Sequence, residues 1–140
     1  MTEEFIPIEL TNKSTFESLN SEFNKIFPFL KLEFFHLPHE RGNGSPDKSR
    51  YTANEKIFTI GHIHGPRRIK IIKNMKVYEL EKLFEVEYEL HMQVFRKSGS
   101  IWLETSATDD WTLEDENEAG RNSQTVLTIE RENFDDRDVE

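Results

Sequence analysis

The stretches FESLNSEFNKIF at residues 16–27 and VYELEKLFEVEY at residues 77–88 decide the fold, because they carry apolar side chains at the same spacing. The shared positions are Phe16, Leu19, Phe23 and Phe27 in the first stretch and Val77, Leu80, Phe84 and Tyr88 in the second. Residues three and four apart lie on one face of an α-helix, so each stretch predicts an amphipathic helix with one buried face. Pro28 cannot continue the backbone ladder, and the first helix should therefore end near Phe27.

Short segments of alternating apolar and polar residues flank both predicted helices. Their apolar positions are Ile6, Ile8, Leu10, Leu30, Leu32 and Phe34 around the first helix, and Ile69, Ile71, Leu90, Met92 and Val94 around the second. Alternation of this kind is typical of a strand with one buried face. We therefore predict two βαβ-like units, at about residues 5–36 and 68–97, which reflect either an internal repeat or convergence on one pattern.

The last third of the chain predicts three further features. Residues 97–100 form a turn signal that would send residues 101–105 back as an additional strand. Thr112 with Asp115 predicts the start of a short acidic helix, which Gly120 would end. The remaining residues, 121–140, are rich in acids, and we expect them to form a flexible tail.

The repeated pattern over residues 5–97 resembles that of ferredoxin-like split-βαβ proteins. The resemblance implies an α+β fold in which the tandem units form one antiparallel sheet with both helices on one face. A chain of 140 residues has the size of one domain, which we place at residues 1–120. Residues 37–56 are rich in Gly, Pro, Asn and Ser and predict an exposed loop between the units, and residues 57–63 predict an extra strand.

Composition narrows the compartment and the chemistry. The start MTEEFIPIEL has neither a basic region nor a long apolar run, so we expect no signal peptide or membrane anchor. The chain has no cysteine, which excludes disulfides and thiolate chemistry and favours a cytoplasmic location. The stretch from Arg96 to Thr105 resembles the closing stretch of a family of uncharacterised small bacterial proteins. That resemblance implies a bacterial cytoplasmic protein and no particular activity.

Charge is segregated along the chain. The net charge is −3 over residues 1–35, +6 over residues 36–76 and −12 over residues 77–140, which gives the overall value of −9. An acidic protein repels nucleic-acid phosphates, so the overall charge argues against a general nucleic-acid binder. The basic middle segment is the exception that keeps phosphate binding open.

That segment contains a basic run over residues 67–76 without an acid. Its candidate phosphate-binding residues are Arg67, Arg68, Lys70 and Lys73, with Lys76 at the end. If Ile69 and Ile71 face the core, Arg68 and Lys70 project together from the opposite face of a strand. A solvated charged strand explains the same pattern and is the interpretation we favour, because an RNA-binding signature with stacking aromatics is missing from the sequence.

Histidines are the candidate metal ligands. His62 and His64 lie two apart and would share one face of an extended segment, while His36 and His39 flank the start of the predicted loop. No third ligand follows at a diagnostic spacing. We therefore predict no bound metal, and ordinary surface histidines are the simpler interpretation.

The segment from residue 102 to residue 111 is the candidate partner-binding site. Trp102, Trp111, Asp109 and Asp110 come together near a predicted chain reversal. Tryptophan dominates the energetics of many interfaces, so we expect a recognition surface here. The alternative is that either tryptophan closes the core, and Trp111 is the better interface candidate because it lies outside the repeat.

Catalytic motifs are missing from the sequence: it has no nucleophile elbow and no phosphate-cradling glycine loop, and it predicts no cofactor. An enzyme therefore ranks third. The first function class is a non-catalytic protein-interaction or regulatory module, either a homodimer formed through a sheet edge or a binder of a basic protein partner. The second is a nucleotide- or nucleic-acid-binding protein that uses the basic run 67–76.

Overall fold

The computed structural model describes residues 5–36, 49–61, 63 and 65–124. Its elements in chain order are β1 (Phe5–Leu10), α1 (Phe16–Ile26), β2 (Leu30–Phe35), α2 (Ile57–Ile60), β3 (Arg67–Ile72), α3 (Val77–Tyr88), β4 (His91–Ser98), β5 (Ile101–Glu104), a 3₁₀ turn (Ser106–Thr108) and α4 (residues 113–124). These elements confirm the predicted α+β class. None of the helices in these ranges is long and apolar enough to cross a lipid bilayer.

The described strands form two antiparallel sheets. Strand β1 pairs with β3, and β2, β4 and β5 form a three-stranded sheet in that order. The single four-stranded sheet of a ferredoxin-like fold is therefore not confirmed. The alternating pattern determines which face of each strand is buried, but it does not determine which strands become neighbours.

Both predicted helices bury the expected stripe. All eight shared positions of the two stretches are buried. Phe34 of β2 contacts both helices. The centre of its ring lies 4.5 Å from the ring centre of Phe16 in α1 and 5.3 Å from that of Phe84 in α3. The helices thus pack over the β2–β4 part of the larger sheet and share one core.

The same backbone contacts recur in the two halves of the chain, residues 5–60 and 67–124. The first amide of α1, Phe16, donates to the carbonyl of Glu55 just before α2, and the first amide of α3, Val77, donates to the carbonyl of Trp111 just before α4. Each half is therefore a β-α-β unit followed by a segment that returns to the start of its own helix. The repeat is longer than the predicted βαβ units.

The segment that returns in the first half also adds to the larger sheet. The amide of Tyr51 donates to Phe34, and Ser49 accepts from the amide of His36, so residues 49–51 run beside β2. Thr105 likewise donates its amide to Val94 of β4 in the second half. Within the predicted exposed loop 37–56, Ser49 is buried and residues 50 and 52–54 are exposed, while residues 37–48 lie outside the described residues.

Two other expectations are wrong. The segment 57–63 contains the helix α2 where an extra strand was expected, because a short apolar run fits a buried helix as well as a strand. Helix α4 does not end at Gly120 but reaches residue 124. A β-carbon at Gly120 would lie only 2.7 Å from the Cβ of Phe29, so this glycine permits a close approach between α4 and the chain after α1. Residues 125–140 of the predicted acidic tail lie outside the described residues.

Candidate partner-binding surface

Strand β5 exposes all four of its side chains. Three of them are large and apolar: Ile101 is 57% exposed, Trp102 36% and Leu103 39%. Trp111, in the turn before α4, is 42% exposed. We call Ile101, Trp102, Leu103 and Trp111 the β5 surface. Adjacent apolar side chains on an exposed strand are uncommon in proteins that bind nothing, because they favour contact with another chain.

Helix α4 holds the hairpin that presents β5. Gly99 has a positive φ of 61°, which the tight turn between β4 and β5 requires and which glycine adopts without a steric cost. Its amide donates to the hydroxyl of Ser123 at 3.0 Å, and its carbonyl accepts from the side-chain amide of Gln124 at 2.7 Å. The two contacts hold the turn against residues 123 and 124 of α4, so the position of β5 is fixed by α4 as well as by β4.

The outer edge of β5 faces away from β4. Within the described ranges β4 is the one strand that pairs with β5. The amide of Thr105, the residue after β5, donates to Val94 of β4, and the hydroxyl of Thr105 donates to the same carbonyl. Backbone groups alternate in direction along an antiparallel strand, so the N–H and C=O of Trp102 and Glu104 point to the open edge.

The side chains of the β5 surface lie on two faces of the sheet. Leu103 is directly opposite Arg96 of β4, and the guanidinium of Arg96 lies 6.0 Å from the centre of the Trp111 ring. Leu103 and Trp111 therefore share one face, and Ile101 joins them by alternation. Trp102 points to the other face.

Two lysines flank Trp102 on that other face. Their Nζ atoms lie 4.9 Å (Lys31) and 5.1 Å (Lys97) from the centre of its indole ring. A cation over an aromatic face is attracted by the ring quadrupole. The lysines therefore restrict the orientation of Trp102 while part of its ring remains open to solvent.

A buried carboxylate orients Arg96 beneath Trp111. Glu116 of α4 is fully buried, and one of its oxygens lies 3.1 Å from a guanidinium nitrogen of Arg96. The hydroxyl of Thr108 donates a short hydrogen bond to the other oxygen. Burial raises the pKa of the Glu116 carboxyl above its ordinary value, and the hydrogen bond from Thr108 and the charge of Arg96 offset part of that rise. The network links α4, the 3₁₀ turn and β4 below the exposed indole.

The two predicted aspartates occupy different environments. Asp109 is buried, and its carbonyl accepts from the amide of Tyr78 at 2.9 Å. It therefore belongs to the turn that covers the start of α3, together with the backbone of Trp111. Asp110, which precedes Trp111 in the sequence, is exposed. Of the two, Asp110 alone is placed to meet a partner.

Exposed carboxylates surround the β5 surface. They belong to Glu104 of β5, Asp110 of the turn, and Glu114 and Asp115 in the first turn of α4. The neighbouring guanidinium of Arg96 is already paired with Glu116. Asp110, Glu114 and Asp115 belong to the segment that carries Trp111, whereas Glu104 alternates onto the face of Trp102.

The basic run begins on β3 in the other sheet, and Lys73 and Lys76 follow that strand. All four of its predicted phosphate-binding residues are exposed: Arg67, Arg68, Lys70 and Lys73. Arg68 forms an ion pair with Glu9 of β1 at 2.7 Å. Glu9 and Pro7 of β1 are the residues opposite Arg68 and Lys70. The strand therefore presents cations to solvent with a carboxylate among them.

Of the candidate metal ligands, His36 is the one that lies within the described residues. His62, His64 and His39 lie outside the described residues. His36 is exposed, and its ring lies 3.9 Å from that of Tyr51. Across the ranges that the structure describes, no three His, Asp or Glu side chains are grouped so that they could hold a metal ion.

The sequence interpretation missed Ile101, Leu103 and Arg96 as members of this surface, and it missed Glu116 below it. The run Ile101–Trp102–Leu103 was a usable signal, because a strand with one buried face should alternate with polar residues. Arg96 and Glu116 lie twenty residues apart, and no sequence signal brings them into contact.

Comparison with known proteins finds no relative. No family model, no curated protein and no solved structure matches this chain. The geometry of the β5 surface therefore carries the functional assignment.

Proposed function

We propose that the protein is a non-catalytic protein-interaction module that binds its partner through the β5 surface. The observation that carries this proposal is that three consecutive large apolar side chains are exposed on a strand that, among the described residues, lies at the edge of its sheet. Natural edge strands are usually protected by charges, bulges or covering elements, because an open edge pairs readily with other chains. An edge that carries Ile, Trp and Leu is a surface suited to binding.

The partner segment is an extended strand that lengthens the three-stranded sheet. Its main chain forms hydrogen bonds with the outward N–H and C=O groups of Trp102 and Glu104. Its alternate side chains meet Leu103 and Trp111 on one face and Trp102 on the other. Backbone pairing supplies affinity in this mode, and the side-chain contacts supply specificity.

Trp111 is the main anchor of the proposed interface. Interface hot spots are enriched in Trp and Arg that are held rigidly before binding. The Trp111 ring rests on Arg96, and the salt bridge to buried Glu116 fixes that guanidinium. Little side-chain freedom is left for the partner to restrict, which lowers the entropic cost of association.

The exposed carboxylates define the chemistry of the partner. Glu104, Asp110, Glu114 and Asp115 favour a segment whose apolar residues alternate with Lys or Arg. Such rim charges mainly accelerate association and reject acidic competitors. The binding rate should therefore fall as the salt concentration rises.

A nucleic-acid-binding protein is the second candidate. The exposed cations Arg68 and Lys70 of β3 favour it, since they lie on the face of the strand opposite buried Ile69 and Ile71. The ion pair between Arg68 and Glu9 counts against it, because Glu9 places a negative charge where a phosphate would bind.

Selection of peptides tests the proposal directly. We expect random peptides displayed on phage to yield binders in which apolar residues alternate with Lys or Arg. Trp111→Ala should weaken the binding of such a peptide by about tenfold or more, which corresponds to the loss of one hot-spot side chain. Fluorescence anisotropy of a labelled peptide measures the effect.

The matched control is Val86→Ala, which shortens another exposed apolar side chain, on α3. It should leave peptide affinity unchanged. Selected peptides that bind Trp111→Ala as tightly as the unmodified protein would contradict the proposal. If no peptide is selected and a single-stranded oligonucleotide binds at moderate salt in a manner that Arg68→Glu abolishes, the second candidate replaces the first.

A further inference from the structure

We propose that the strand that pairs with β5 belongs to a second copy of this chain, so that the two copies join their three-stranded sheets through an antiparallel β5–β5 ladder centred on Trp102. The inference rests on the proposed function of the β5 surface and adds a second copy of this chain as an occupant of the same edge, held by backbone pairing and apolar contacts. The carboxylates of the two copies oppose this pairing, so the dimer should strengthen as the salt concentration rises. Three features of β5 support the inference: the direction of its backbone groups, the parity of its faces and the residues that the pairing brings together.

The direction of the backbone groups selects Trp102 as the centre. Its N–H and C=O point to the open edge, as the bond between Thr105 and Val94 establishes through the alternation of the strand. In an antiparallel pair, two residues whose groups point towards each other exchange both hydrogen bonds. Trp102 of one copy and Trp102 of the second copy form such a pair around a twofold axis.

The parity of the faces agrees with this register. Residues directly opposite each other in an antiparallel pair point to the same face of the sheet. A twofold axis through the Trp102 pair therefore places Ile101 opposite Leu103 of the second copy, on the face that carries Trp111. The same axis places Glu104 opposite Ser100 of the second copy. If the register shifted by one residue, the face that carries Trp111 in one copy would continue into the face that carries Trp102 in the second copy.

The resulting contacts are self-complementary. Apolar Ile101 meets apolar Leu103 of the second copy on one face, and the two indole rings of Trp102 meet on the other. Aromatic and β-branched cross-strand pairs are among the most favourable in sheets. No two like charges stand directly opposite each other, because the single charged residue of β5, Glu104, meets a serine.

The length of β5 sets the strength of the dimer. A ladder of four residues per copy is smaller than a standard interface of about 800 Å² per partner. Trp111 at its border adds apolar area but not a second layer of contacts. We therefore expect a reversible dimer with a dissociation constant on the order of micromolar, as is typical of small interfaces.

Sedimentation velocity of the full chain over a range of concentrations measures this equilibrium. The unmodified protein should shift from monomer to dimer as its concentration rises. Trp102→Lys should be monomeric throughout, because two lysine side chains would oppose each other across the axis. Trp102→Glu should be monomeric for the same reason, and Trp102→Phe should still dimerise.

A mixture of the Trp102→Lys and Trp102→Glu proteins tests most directly whether the two copies place residue 102 opposite itself. If residue 102 faces itself, the mixture should form dimers that neither variant forms alone. A purely structural role of Trp102 would not produce this rescue. Near-ultraviolet circular dichroism checks that both variants keep the native fold.

Two results would overturn the inference. One is a monomeric protein at every concentration, with Trp102 and Glu104 amides that exchange slowly in dilute solution, because the edge would then be covered within one chain. The other is a dimer that Trp102→Lys leaves intact, because the interface would then lie elsewhere. If the monomer still binds selected peptides through Trp111, the inference fails and the proposed function stands; if no peptide binds either, both fail.

Discussion

Glu116 is a buried residue whose protonation depends on the surrounding fold. It is fully buried between Arg96 and Thr108, and burial raises the pKa of its carboxyl from an ordinary value of 4.5. A carboxyl that binds its proton more tightly in the folded state than in the unfolded state stabilises the fold when it is protonated. That contribution is complete below the unfolded pKa and is lost as the pH rises through the folded pKa.

We therefore predict that the free energy of unfolding contains a component that falls between about pH 4.5 and the raised pKa of Glu116. Glu116→Gln should remove this component, because glutamine cannot lose a proton and still offers an oxygen to Arg96. Urea unfolding of both proteins across this pH range measures the difference. Glu118→Gln, an exposed position on the same helix, is the matched control. Identical pH profiles for Glu116→Gln and the unmodified protein would contradict the assignment.

Residue type alone indicated some members of the β5 surface but did not indicate the others. Trp102 and Trp111 could be selected because tryptophan is rare and large. Asp109 was selected with them, but its neighbours in sequence do not reveal that it is buried in the turn above α3. The contact between Arg96 and Glu116 depends on how α4 packs against β4, and a linear pattern carries no information about that packing.

At the scale of the elements, the helical stripes were predictable because burial of one helical face imposes a period on the sequence. The strand partners were not. Residues 49–51 run beside β2 although they have no long alternating pattern, and Tyr51 joins the core by stacking on Phe16 at 5.7 Å. The apolar pattern of residues 57–63 predicts a strand where the structure has helix α2, because four helical residues are too few to show a helical period.

The repeated helices make a prediction of their own. Leu19 of α1 and Leu80 of α3 hold matching positions and are both buried in the shared core. Leu19→Ala and Leu80→Ala should each lower the free energy of unfolding by about 2–5 kcal/mol, because each leaves a cavity under a helix. Val86→Ala, at an exposed position of α3, should change it by less than about 0.5 kcal/mol. Denaturant melts give these values, and a small loss at either leucine would mean that the two helices do not contribute equally to one core.

At the scale of the whole molecule, the two halves share a backbone plan but differ in their surfaces. The position of Trp111, whose carbonyl accepts from the first amide of α3, is held in the first half by Glu55, whose carbonyl accepts from the first amide of α1. The repeated contact uses only backbone atoms, so the side chain at that position can differ between the two halves. The second half uses it for an exposed indole next to β5, and this difference locates the β5 surface in one half of the repeat.

The charged residues are also distributed unevenly along the chain. Residues 77–140 carry a net charge of −12, and the exposed acids around Trp111 belong to this part of the chain. The cations Arg67, Arg68 and Lys70 lie on β3 in the other sheet, whereas Lys73 and Lys76 lie beyond β3, where the carbonyl of Lys73 accepts from the amide of Glu114 at the start of α4. In the proposed function, the exposed acids of the segment that carries Trp111 would favour a partner with basic side chains.

Hydrogen exchange of the backbone amides of β5 tests the central claim most directly, because it reports on the edge itself whichever partner occupies it. The amides of Trp102 and Glu104 should exchange rapidly in dilute protein and become protected when a selected peptide or a second copy binds. The amide of Leu103, which points towards β4, should be protected in both states. Binding that leaves Trp102 and Glu104 unprotected would contradict the account and place the partner on another surface.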